Sequence, residues 1–106
     1  MTVRIIIASS YSRSPAGRLR SDGPYSGERF RDEVLLPALT STSEPVEVDL
    51  NGVLGFGSSF LEEAFGGLVR SGRFTFDELR SRLRILTDIQ SYDRRIWSYV
   101  KSARPA

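Results

Sequence analysis

Val3, Ile5 and Ile7 alternate with Arg4 and Ile6. A two-residue period of this kind predicts a strand over residues 3–8. A loop is expected at 9–15. Asp22-Gly23-Pro24 then marks a turn, with room for a short strand or ribbon at 18–20. Phe30, Val34, Leu35, Ala38 and Leu39 recur at helical spacing. Ser26 suits the cap of this first helix, and Glu28 suits its positive end. Pro37 has no amide to return to Glu33, so a kink or an early end is expected there. Val46 and Val48 alternate with Glu47 and Asp49 up to Leu50, a second strand. Asn51-Gly52 then turns the chain.

Leu61, Ala64, Phe65, Leu68 and Val69 predict a second helix. Ser59, with Glu62 three residues on, reads as a capping box. Gly66 and Gly67 each lose about 1 kcal/mol of helix propensity against alanine. A helix holding both is expected to press its backbone against something. Gly72 suits its end. Thr75 and Glu78 repeat the capping-box pattern before a short helix at 76–81. Leu83 and Ile85 alternate with Arg82 and Arg84, a third strand ending near Leu86. Ser91 is the expected cap of a last helix, which carries Tyr92, Ile96, Trp97, Tyr99, Val100 and Ala103 and stops at Pro105. Phe74 and Phe76 read as loop anchors to the core. This order predicts an α/β fold: a small mixed β-sheet with helices packed against it, some strands pairing in parallel, in a single domain over residues 1–106.

The 106 residues suit one domain. The chain has no histidine and no cysteine. Thiolate nucleophiles, disulfides, zinc fingers and imidazole proton shuttles are therefore excluded. Only carboxylates and hydroxyls remain as metal ligands, and neither a metal nor a cofactor is expected. The longest apolar run, residues 5–8, is far below the roughly 20 residues of a membrane span. A cytoplasmic location without membrane association is the expectation.

The net charge of +2 conceals an uneven layout. Residues 1–31 carry six arginines against Asp22 and Glu28. Residues 32–63 carry seven acids and no base. Residues 64–106 carry nine bases against four acids. The acidic middle either folds against its basic flanks or forms an acidic face for a basic partner. Of these, the acidic segment is the first place to expect a charged working face.

The glycines at 52, 55 and 57 lead from strand to helix, as in anion-binding loops. No Gly-Lys-Ser/Thr follows, and the dinucleotide fingerprint is missing. Ser58-Ser59 has no activating base: there is no histidine, and Lys101 is the one lysine. The pair is therefore not expected to be catalytic, and the chain is not expected to be an enzyme. Ser59 reads first as a helix cap. Phosphorylated, either serine would place nearly two negative charges beside Glu62 and Glu63 and repel an acidic or tightly docked partner. Adjacent helix residues point about 100° apart, so Glu62 and Glu63 read as one cap and one exposed charge. Arg80, Arg82, Arg84, Arg94 and Arg95 support an alternative, a basic nucleic-acid-binding module. Aromatics do not interleave with them as an RNA platform requires. The first strand, at a sheet edge, would allow a homodimer.

The run VEVDLNGVLGFGSSFLEEAFGGLVR at 46–70 resembles a STAS-type domain, the fold of sulphate-transporter tails and anti-sigma-factor antagonists. With GRLRSDGPYSGERFRDEVLLPAL at 17–39, it more closely resembles a bacterial STAS-like family of unknown function. In the antagonists, a GHKL-type kinase phosphorylates a serine at the start of this helix and so switches partners. The resemblance carries that role to Ser59, with Ser58 beside it. The antagonists have Asp-Ser-Ser-Gly, whereas here Gly57 precedes the pair and Phe60 follows it. The resemblance implies a regulatory protein-interaction module. Its expected face is Gly55, Gly57, Ser58, Ser59, Phe60, Glu62 and Glu63, with Arg18, Asp22, Gly23 and Ser26 as neighbours, and its expected partner is a GHKL-type ATPase or kinase.

Overall fold

A computed structural model describes residues 2–105. Three strands form one sheet in the order β1-β2-β3, with β1 Val3–Ile6, β2 Val46–Asp49 and β3 Leu83–Leu86. Both pairings are parallel, aligning Arg4 with Glu47 and Arg84, and Ile6 with Asp49 and Leu86. The sheet expected to be mixed is thus parallel throughout among the described residues. Every connection passes through a helix, which lets successive strands run the same way.

Side chains alternate between the two faces of a strand. One face presents Ile5, Val46, Val48 and Leu83, all buried under the helices. The other presents Arg4, Ile6 and Arg84 to solvent. The sheet therefore has one covered face and one bare face.

The first strand is shorter than its alternating pattern. It ends at Ile6, and Ile7–Ser10 form a helical turn, α1. No ribbon forms at 18–20. A 3₁₀ turn at Arg20–Asp22 takes its place. The Asp22 carboxylate accepts from the Arg18 and Leu19 amides at 3.2 and 2.9 Å, so a local side chain occupies the donors a ribbon would need. Residues 17–26 form a strap leading into the next helix.

Helix α2 runs from Gly27–Phe30 through a wider π turn at Arg31–Leu35 and on through Leu36–Ser41. Ser26 caps it, accepting from the Arg29 amide at 3.1 Å. Pro37 neither ends nor breaks this helix. The π turn just before it, closed by the Leu36 amide on the Arg31 carbonyl, shifts the bonding register where the proline donates nothing.

Helix α3 has the same form: Ser58–Leu61, a π turn at Glu62–Gly66, then Gly67–Arg70. Gly72, at φ +78°, follows its end. The Thr75–Glu78 capping box is present, with bonds of 2.9 and 3.1 Å, and opens α4 at Phe76–Arg82. Helix α5 spans Gln90–Ser102. Ser91 does not cap it. Ile89 holds the cap position, and Thr87 accepts the Ile89 amide at 3.0 Å instead.

The core joins the covered sheet face to Phe30, Leu35, Leu39, Phe60, Leu61, Phe65, Leu68, Leu79, Ile96 and Val100. Phe74 and Phe76 pack against it from the edge, as anchors should. Helices α2 and α3 meet closely at their starts. A Cβ on Gly27 would stand 2.6 Å from the Phe60 carbonyl oxygen and 3.2 Å from the Ala64 nitrogen.

Candidate functional site

The loop after β2 carries the chain from Asp49 to Ser58. Asp49 accepts the Asn51 amide at 2.9 Å, and Gly52, at φ +89°, completes the turn. The Asn51 side-chain oxygen accepts the Asp88 amide at 3.0 Å, and the Leu54 amide bonds the Arg13 carbonyl at 2.9 Å. The loops that follow all three strands are thereby tied together. Leu54 nevertheless leaves its side chain 78% exposed. Gly55 is half-buried and Gly57 exposed, and neither is crowded by a neighbour.

Ser58 and Ser59 are both exposed at the first two positions of α3. The Ser59–Glu62 capping box does not form. Gly57 takes the cap position, no side chain bonds the first-turn amides, and neither serine hydroxyl has a hydrogen-bond partner among the described residues. The reason lies in Glu62, whose carboxylate is held elsewhere.

Glu62 and Glu63 stand in a cluster of three arginines. Arg18 reaches from the strap to bond Glu62 and also lies 3.3 Å from Glu63. Arg70, at the end of α3, bonds Glu62 and lies 3.3 Å from Glu63. Arg31 bonds the Glu63 carboxylate and, at 3.2 Å, the Glu63 carbonyl. Its other edge meets Asp32 at 3.0 Å. Neither glutamate is a cap or a free surface charge. Long arginines from three elements bridge the angle between adjacent helix positions. Burial raises the Glu62 pKa, but hydrogen bonds from Arg70 and Arg18 outweigh it and hold the carboxyl below its ordinary range. The bond to Glu62 likewise raises the Arg18 pKa above its ordinary value.

Gly66 and Gly67 make room for this cluster. A Cβ on Gly66 would stand 2.8 Å from a Glu62 carboxylate oxygen and 3.4 Å from the Tyr99 carbonyl oxygen. A Cβ on Gly67 would strike the Arg31 guanidinium. The close approach expected of this glycine pair is present. Arg31 and both glutamates fall on π turns, where α2 and α3 cross.

The strap joins the same region. Gly23 is half-buried, while Asp22 is exposed with its carboxylate bonded to the strap's own backbone. Buried Ser26 offers its carbonyl to the Tyr11 hydroxyl at 2.8 Å. Burial pushes the Tyr11 pKa up to about 12. Tyr11 also meets Tyr25 edge-on at 5.4 Å, and Arg29 lies over both rings. Leu19 and Tyr25 remain exposed at 44% and 40%. Arg18 thus brings the two expected patches together, whereas Ser26 and Phe60 are buried and serve the packing beneath them.

The acidic segment is not a free acidic face. Beyond Glu62 and Glu63, Arg4 pairs with Glu47 at 3.3 Å, Arg20 with Glu33 at 2.7 Å, Arg29 with Glu33 at 3.1 Å, and Arg20 with Asp32 at 3.6 Å. The acidic middle has folded against its basic flanks. The C-terminal arginines separate in turn. Arg82 spends its guanidinium on the carbonyls of Leu39, Thr42 and Glu44. Arg84 stands on the bare sheet face, while Arg80, Arg94 and Arg95 are exposed on α4 and α5. The sequence singled out neither Arg31 nor Arg70. Their signal was the opposite charge of the segments they join.

A family pattern described as the STAS-like domain of unknown function (DUF4325) matches residues 26–91. The chain belongs to this STAS-like family. No curated protein and no solved structure matches the chain. The matched region takes in the serine pair, both glutamates, Arg31 and Arg70, and the three-stranded α/β sheet is consistent with a STAS-like fold. Arg18 lies just before it, so the strap contributes one arginine from outside the matched part. Among the described residues of this STAS-like domain, no helix is long and apolar enough to cross a membrane.

Proposed function

We propose that this STAS-like domain is a non-enzymatic, regulatory protein-interaction module whose working face is the start of α3, the loop before it and the adjoining strap. The observation that carries this reading is the state of Ser58 and Ser59. Both are exposed, neither hydroxyl bonds the protein among the described residues, and Leu54 stands exposed in the preceding loop. Their hydroxyls are open to a kinase, and phosphorylation there costs no existing cap. An exposed apolar residue beside polar groups is what a docking partner needs as an anchor. The partner is a GHKL-type ATPase or kinase, and the phosphate is the switch: two negative charges added at Ser59 repel a partner seated on this face.

The test is to incubate the protein with a GHKL-type ATPase encoded beside it, add ATP, and locate phosphate by mass spectrometry. Phosphate is expected on Ser58 or Ser59. Ser59→Asp is expected to lose the complex and Ser59→Ala to keep it. Equal binding by the two variants overturns the switch.

A further inference from the structure

With the acidic segment neutralised from within, uncompensated positive charge gathers elsewhere. Helix α5 buries Ile96 and Val100. Its solvent side presents Arg94, Arg95, Ser98, Lys101 and Ser102, all exposed. On a helix, neighbours lie three and four residues apart. Ser98 therefore has Arg94 and Arg95 one turn before it and Lys101 and Ser102 one turn after it. None of the three cations makes an ion pair among the described residues, and the acidic residue of α5, Asp93, sits in its first turn, where it suits the helix dipole. Trp97 borders this face, and the exposed Arg80 guanidinium of α4 lies over its ring, 4.4 Å from the centroid. That stacking holds a fourth cation beside the other three.

We infer that this face of α5, with Arg80, docks on the phosphate backbone of duplex DNA without reading its sequence. Four cations and two hydroxyls match a row of phosphates, and guanidinium forks suit phosphate oxygens. A protein partner fits less well. Such interfaces are anchored by buried apolar or aromatic side chains, and the exposed large apolar residues Ile6, Leu19, Tyr25, Leu54 and Ile89 all lie outside α4 and α5. Unpaired strands fit less well too, because they need open aromatic platforms. Trp97 is already covered by Arg80 and packed edge-on against Phe76 at 6.2 Å. Duplex RNA is held by contacts that span two successive minor grooves and include its 2′-hydroxyls, which one face of a 13-residue helix does not offer. This surface shares no residue with the serine face, so either assignment stands without the other.

The test uses the full chain and a fluorescently labelled 20-base-pair duplex, with affinity measured by anisotropy from 50 to 200 mM salt. Four released counterions predict about a hundredfold loss of affinity over that range. Arg94→Gln with Lys101→Gln is expected to reduce the salt slope by about 2 and to leave the thermal melt unchanged. The control, Arg13→Gln with Arg84→Gln, removes the same charge from other surfaces and is expected to leave the slope nearly unchanged. No binding at 50 mM salt overturns the proposal, as does a control that weakens binding equally. Competition by polyglutamate as effective as by unlabelled duplex marks an acidic-protein surface and also overturns it. Tighter binding to a single strand does the same.

Discussion

Arg18 bonds Glu62 across 44 positions of sequence and so fastens the strap to the first turns of α3. Its side chain is 40% exposed, so it closes the arginine cluster from the solvent side, while Arg31 closes it from within at 13%. The two ends of the cluster should therefore differ in energetic weight. Exposed pairs contribute about 0–1 kcal/mol, whereas breaking a buried pair leaves an uncompensated charge.

Arg18→Ala is expected to cost about 1 kcal/mol in urea unfolding and to raise the protease sensitivity of residues 17–25. Glu63→Ala, which leaves Arg31 only Asp32 and a backbone carbonyl as partners, is expected to cost more, about 3 kcal/mol. Removing both partners with Arg31→Met and Glu63→Leu should cost less than Glu63→Ala alone, because neither charge of the pair is then left without the other. A double variant worse than the single one would show that the pair is not what joins α2 to α3.

The glycines offer a test of packing against propensity. Alanine in place of Gly67 gains about 1 kcal/mol of helix propensity. Its Cβ would nevertheless displace the Arg31 guanidinium. A net loss of about 1–3 kcal/mol is expected, as for other overpacked sites. Gly27→Ala should be worse, because the Phe60 carbonyl oxygen that it meets at 2.6 Å is backbone and cannot swing aside. Thermal melts of the two variants check this order.

Acid should loosen the same cluster. The Glu62 carboxyl is held below its ordinary value of 4.5, despite burial, by Arg70 and Arg18. Below pH 4.5 the unfolded chain takes up a proton at this position before the folded one does, so stability falls until the folded form is protonated too. The contribution is complete above that window and lost beneath it. Glu62→Gln is therefore expected to lower stability at pH 7, and its difference from the parent should shrink at pH 3.5. An unchanged difference would deny Glu62 its part in acid unfolding.

Tyr11 behaves in the opposite direction. Its pKa is pushed up to about 12, chiefly by burial, and its hydroxyl donates to the Ser26 carbonyl. The unfolded phenol ionises near 10, so its contribution is complete below about pH 10 and is lost as pH rises towards 12. Tyr11→Phe should cost about 1 kcal/mol at pH 7 and flatten the alkaline loss of stability. Absorbance at 295 nm should show a late-ionising step in the parent, from Tyr11, that the variant loses.

The strands were legible because two-residue alternation survives in Val46–Asp49 and Leu83–Leu86. The Gly66-Gly67 pair was legible too, since helix propensity alone gives no reason for it. The contrast lies between two equal patterns. Thr75–Glu78 and Ser59–Glu62 both spell a capping box, and only the first forms it. Glu78 has no nearer competitor, while Glu62 is claimed by an arginine 44 positions earlier and another 8 positions later. Local spacing cannot reveal such a competitor. The acidic face expected of residues 32–63 fails for the same reason: the arginines that neutralise it arrive from both flanks.

The failed capping box makes a direct prediction about the serines. A serine that caps a helix loses about 1 kcal/mol on truncation to alanine. Ser26 does cap α2 and is fully buried, so Ser26→Ala is expected to cost at least that much. The Ser58 and Ser59 hydroxyls bond nothing among the described residues and the two residues face solvent, so Ser58→Ala and Ser59→Ala should each lie within about 0.5 kcal/mol of the parent. Urea unfolding of the three variants under one set of conditions compares them. If Ser59→Ala costs as much as Ser26→Ala, then Ser59 caps α3 in solution and its hydroxyl is not open to a kinase. If it costs nothing, any loss of partner binding by Ser59→Asp belongs to the surface and not to a weakened fold.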